Sequence, residues 1–242
     1  MSLELAQLLS ALAVTLVGAA FQSVIGIGFA LFAAPLLFLL NPLYLPGPIL
    51  TLGLVLTLIV TINQRRALTF KRMVPAISGR IPGSFLGIAL LAFVPAPLFA
   101  IGFGSLLILS VWLSYHHLTV TPNTRNLFIA GLFSGLMGTT TSVGGPPIAL
   151  VYQNVDRVQT RNDLSLFFLV GTLVSIALLS VYGHYGLREL QLSLELSPAI
   201  IVGFLLGKFI ETRLETVRIK PVIAAICLVS SVLVITKGLL AL

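Results

Sequence analysis

In this chain of 242 residues the run 138–147, GTTTSVGGPP, sets four consecutive hydroxyl side chains beside glycines and prolines. Thr139, Thr140, Thr141 and Ser142 offer hydroxyl donors, and Gly144 and Gly145 leave their backbone N–H groups open to close approach. Pro147 at a helix start would aim the positive end of that helix's dipole at the same place. Together they can hold an anion without a full charge. The same hydroxyls can instead satisfy the carbonyls of a kinked helix. Gln22 and Ser23, ahead of Gly26 and Gly28 in FQSVIGIGF, would complete the cage from the first half of the chain, or else bond between helices.

One arginine stands within an apolar run. Arg80 lies six residues beyond Val74, ~9 Å along a helix, where an isolated charge costs several kcal/mol unless it snorkels or meets an anion. Both readings are open: a snorkelling anchor at rest, or an electrostatic lure on the cytoplasmic side. Metal and catalytic chemistry find no support. His116, His117 and His184 are scattered, Cys227 is the single cysteine, and HExxH, a carboxylate pair and a nucleophile with its base are all missing. No cofactor, no metal and no enzymatic activity are expected. Asp163 and Glu211, and Glu4, Glu189 and Glu195, sit at segment ends, which argues against a proton relay of buried carboxylates.

The elements that position these residues can be read from composition. Apolar side chains make up 57% of the chain and charged ones 9%, so water is not its solvent. The apolar runs are 5–22, 25–40, 48–62, 74–93 and 98–115, then 127–138, 146–155, 164–183, 192–210 and 222–242. They leave no room for a soluble domain, so residues 1–242 form a single membrane unit. The net charge of +7 is spread between the apolar runs and gathered in no patch, which excludes a nucleic-acid partner and reports orientation instead. With Glu4 outside, Arg65, Arg66, Lys71, Arg72, Arg125, Arg157, Arg161, Arg213, Arg218 and Lys220 fall inside. The positive-inside rule therefore places both termini outside an inner, cytoplasmic membrane.

Laying 19–35 over 131–147 aligns Phe21 with Phe133, Gly26 with Gly138 and Pro35 with Pro147, each 112 apart. Gly83 and Gly87 recur as Gly203 and Gly207, 120 apart, and Pro97 as Pro221, 124 apart. Five segments per half is odd, so the halves 1–115 and 126–242 enter the membrane from opposite sides. The predicted fold is an all-α polytopic membrane protein of two inverted repeats. Runs 127–138 and 146–155, of 12 and 10 residues, are predicted as half-helices too short for a core of about 30 Å.

At GAAFQSVIGIGFALFAAPLL, at GLFSGLMGTTTSVGGPPIALVYQ, at the basic loop before the fourth segment and at PGSFLG, the chain resembles the TauE/SafE family of membrane transporters. The mid-chain block is the specific part. The resemblance implies export of sulfite, sulfonates or related small sulfur-containing anions. An anion leaving a cell of negative interior gains about 2.3 kcal/mol per charge per 100 mV, so export needs no coupling ion. The expected activity is alternating-access transport of a small anionic substrate, with the lipid bilayer as surroundings and a homodimer allowed. The rivals are a permease for neutral or other anionic metabolites, a passive anion channel and an intramembrane enzyme.

Overall fold

The computed structural model describes residues 2–25, 28–64, 70–115, 120–210 and 216–242. Among them run ten α-helices: α1 (Ser2–Ile25), α2 (Phe29–Leu40), α3 (Gly47–Gln64), α4 (Phe70–Phe93), α5 (Ala96–Tyr115), α6 (Thr124–Thr141), α7 (Gly145–Val151), α8 (Arg157–Val181), α9 (Leu187–Ile210) and α10 (Thr216–Leu239). A 3-10 turn, Pro42–Tyr44, comes after α2. Six helices are long and apolar enough to cross a membrane: α1, α4, α5, α8, α9 and α10. Their outward faces carry large apolar side chains in the open, such as Phe85, Leu205, Val229 and Leu233, as a lipid-facing surface requires. The chain is an all-helical, multi-pass membrane protein.

The mid-chain break is narrower than the sequence suggests. Asn123 starts α6 early, its side-chain oxygen accepting from the Asn126 N–H at 2.8 Å, so the helix gains a turn ahead of its apolar run. At the far end the hydroxyls of Thr140 and Thr141 donate back to the carbonyls of Leu136 and Met137, bonds that a helix accommodates. The result is a helix of 18 residues, ~27 Å long, where a half-helix of 12 was expected. The next helix is shorter than expected: α7 has seven residues, with Pro146 and Pro147 in its first turn, where a missing N–H leaves no bond unmade. The interruption is confined to residues 142–144, with Ser142 in the left-handed region at φ 63°.

Helices from the first five pack on helices from the second five. The closest pairs are α4 with α6, α1 with α9 and α5 with α10; α3 lies against both α8 and α9, and α4 also against α8. Within this arrangement α1–α2 and α6–α7 occupy matching places, as do α2–α10 and α5–α7. Small residues set the tightest contacts. Gly79 and Gly83 of α4 rest on the carbonyls of Phe128 and Leu132, and Gly203 and Gly207 of α9 rest on those of Leu16 and Ala20. A Cβ at any of these four would collide with backbone. The matching glycines are thus Gly79 with Gly203 and Gly83 with Gly207, each 124 apart (203 − 79 and 207 − 83), the same offset as Pro97 and Pro221. These contacts do not support the pairing of Gly83 with Gly203 and Gly87 with Gly207 at 120. A large apolar core joins α1, α2, α3, α5, α9 and α10, and a second joins α4, α6, α7 and α8 around Met73, Ile148, Leu166 and Phe167.

Candidate functional site: a buried arginine beside a helix break

The helix that carries Arg80, α4, begins at Phe70, a turn ahead of the apolar run at Val74. Ten residues of helix put Arg80 ~15 Å from that start, near the middle of a helix of 24 residues. It does not snorkel. Its side chain is 2% exposed, Nη1 donates to Ser134 Oγ at 3.0 Å, and the guanidinium carbon lies 4.8 Å from the centre of the Phe167 ring. The slot exists because two glycines face it. A Cβ at Gly171 of α8 would collide with Nε, Cδ and Cζ of Arg80, and one at Gly138 of α6 would stand 3.1 Å from Nη2. Among the described residues no carboxylate is paired with this charge.

Ser134 connects the arginine to the break. Its hydroxyl accepts from Arg80 and donates to the carbonyl of Gly144, directly before α7. Gly144 has to be small here: a Cβ would stand 2.6 Å from the Ser134 carbonyl. Gly145 opens α7. The four hydroxyls of the break are already engaged, contrary to the reading of them as free donors. Thr139 bonds with Ser175 of α8 at 2.9 Å, Thr140 donates to Leu136 and Met137, Thr141 donates to Met137, and Ser142 donates to the Pro46 carbonyl at 2.8 Å. A helix that continues through Thr141 turns those side chains back onto its own ladder.

The first-half candidates serve their own break. Gln22 accepts from the Phe29 N–H at 3.0 Å and so caps α2 from the end of α1, with Gly28 at φ +125° between them. Ser23 donates to the Ala20 carbonyl and lies against Gly207 of α9. Neither is bonded to residues 138–147, so the expected cage across the two halves is not assembled by these side chains. Gly26 lies outside the described residues. Gln22 and Ser134, 112 apart in sequence, each tie the two sides of a break together.

Several members of the site were not singled out from the sequence. On α4 the residues Arg72, Ala76, Arg80 and Ser84 recur every fourth position, and on α8 so do Asp163, Phe167, Gly171 and Ser175. That period puts each set on one helix face, and polar or small residues at this spacing in an apolar helix were the available signal. Asp163, 2% exposed, accepts from the Tyr152 hydroxyl at 3.2 Å and lies 3.7 Å from Arg72, which is half exposed. Among the described residues no group of three His, Cys, Asp or Glu could hold a metal ion.

No curated protein and no solved structure matches the chain. The model of one family, described as sulfite exporter TauE/SafE, matches residues 10–234, a span that contains both breaks, Arg80 and the whole α4–α8 contact. With nearly its full length matched, this chain belongs to the TauE/SafE sulfite exporter family.

Proposed function

We propose that the protein is a secondary carrier for small sulfur-containing oxyanions, of the sulfite or sulfonate class, working by alternating access and favouring export through the cytoplasmic membrane. The observation that carries this reading is Arg80. A guanidinium buried near the middle of a membrane-spanning helix with one serine and one aromatic ring around it, and no carboxylate paired with it among the described residues, is an uncompensated charge. Such a charge costs several kcal/mol in an apolar surround, and a transported anion offsets it. Aromatic contact and a neutral hydroxyl leave the charge available, whereas a fixed carboxylate would satisfy it permanently.

Two further observations support the mechanism. Matching helix pairs and the glycine contacts at an offset of 124 favour two structurally similar halves, and five segments in each make those halves inverted. In such carriers the substrate site lies at the interface of the repeats near the midplane, beside interrupted helices. The basic residues set the orientation: Arg72, Arg125 and Arg161 begin α4, α6 and α8 on the side assigned to the cytoplasm, and both termini then face out. A negative interior drives an anion outward.

The test is a binding screen of the purified protein against sulfite, sulfate, thiosulfate, alkyl sulfonates and carboxylates, with transport then measured in liposomes. Saturable binding of the sulfur anions is the expected result. Binding of none of these anions would remove the reading, and non-saturable flux without trans-stimulation would make the protein a channel.

A further inference from the structure

Two polar atoms of α4 are buried without a hydrogen-bond partner: Nε of Arg80 and Oγ of Ser84. Their residues are one helical turn apart, on the face that meets α6 and α8, and Ser84 is fully buried. The orphaned hydroxyl departs from the habit of this chain's helical serines; Thr15 of α1 is the other buried hydroxyl without a partner among the described residues. Ser105, Ser110, Ser114, Ser165, Ser180 and Ser197 all donate to the carbonyl four residues back. For Ser84 that carbonyl belongs to Arg80, and it is pressed against Gly135 of α6. A buried donor left unmade is costly, which is why natural structures hold few of them.

We propose that Arg80 Nε and Ser84 Oγ are the direct ligands of the transported anion, binding two oxygens of one singly charged oxyanion head at the seam between α4 and α8. This assignment rests on the carrier reading above and makes it specific. Nη1 keeps its bond to Ser134, which holds the guanidinium plane, and the Nε side meets the anion. One guanidinium, unpaired with any carboxylate among the described residues, matches one negative charge; a neutral solute leaves that charge unmet. The hydroxyls of residues 139–142 are not ligands, because each already has a partner. Gly171 lies directly over Nε, so the two ligands are covered. The anion reaches them only when α8 draws back from α4, and this couples loading to a movement of that seam.

The experiment compares wild type, Ser84→Ala and Arg80→Gln as purified full-length protein. It measures melting temperature without anion and affinity for sulfite and for methanesulfonate as probes. Removing a hydroxyl that bonds to nothing should leave the melting temperature of the anion-free Ser84→Ala protein unchanged or raise it. Its affinity should fall roughly tenfold, the size of a lost hydrogen bond to a charged group. A lower melting temperature without anion would make Ser84 a structural residue, and unchanged affinity would remove it from the site; either overturns the assignment. If wild type binds and Arg80→Gln does not, while Ser84→Ala binds as wild type, the carrier reading stands and only the ligand assignment fails. If wild type binds neither anion, both fail.

Discussion

Replacing Gly171 by Ala puts a methyl carbon onto Nε, Cδ and Cζ of Arg80, far inside the separation of unbonded atoms. The guanidinium has little room to yield, with Ser134 at 3.0 Å, the Phe167 ring centre at 4.8 Å and Gly138 on the α6 side. If α8 moves instead, the cost is that of an overpacked core, about 1–3 kcal/mol. If the arginine is expelled, it loses a charge-assisted bond of about 1.5–3 kcal/mol and a ring contact of about 0.5–2 kcal/mol. The cheaper route sets the cost, so Gly171→Ala should destabilise by about 1–3 kcal/mol, above the effect of an ordinary surface substitution. The cause is separable by a double-mutant cycle with Arg80→Ala, which empties the space that the new methyl needs. In that background Gly171→Ala should cost little, giving a coupling of about 1 kcal/mol or more. Unfolding in detergent measures all four proteins. An equal cost of Gly171→Ala with and without Arg80 would refute the packing argument, and no cost in wild type would refute the placement of the guanidinium.

The same kind of contact decides the outcome at three other places. Gly83→Ala should lower the melting temperature, by the equivalent of about 1–3 kcal/mol, because its Cβ meets the Leu132 carbonyl, whereas Gly102→Ala, with open space around it, should be neutral. Asn123→Ala removes the cap of α6 and should cost about 0.5–2 kcal/mol, read by the same melting assay. Asp163→Asn keeps an acceptor for Tyr152 and should change stability little, since its partner Arg72 is half exposed, but Asp163→Leu strands a buried phenol and should cost about 1–3 kcal/mol. Denaturant titration of the two variants side by side distinguishes them.

Hydropathy exposed the membrane runs because it reports what faces lipid, and the breaks at Gly28 and around Ser142 were legible in the glycines and prolines beside them. Helix ends were less so. Phe70, Lys71 and Arg72 extend α4 beyond its apolar run, since a helix continues past the membrane core wherever propensity allows, and this puts Arg80 near the middle of its helix. The hydroxyl cluster was visible as a group, yet whether a threonine points at a ligand or back to its own helix depends on where the helix stops. Thr141 is the last residue inside that limit. Ser134, Gly171 and Phe167 come from helices distant in sequence, and their convergence on Arg80 depends on which helix faces which. The four-residue spacing on α8 hinted at that face but could not name its partner.

The most direct test of the central claim is sulfite counterflow in liposomes reconstituted with wild type and with Arg80→Gln, each checked for folded protein by its melting temperature. The account predicts saturable, trans-stimulated exchange in wild type and a loss of roughly tenfold or more in the variant, the size expected when an anion gives up its charged hydrogen-bond partner. Equal exchange by the two proteins at every sulfite concentration would contradict it.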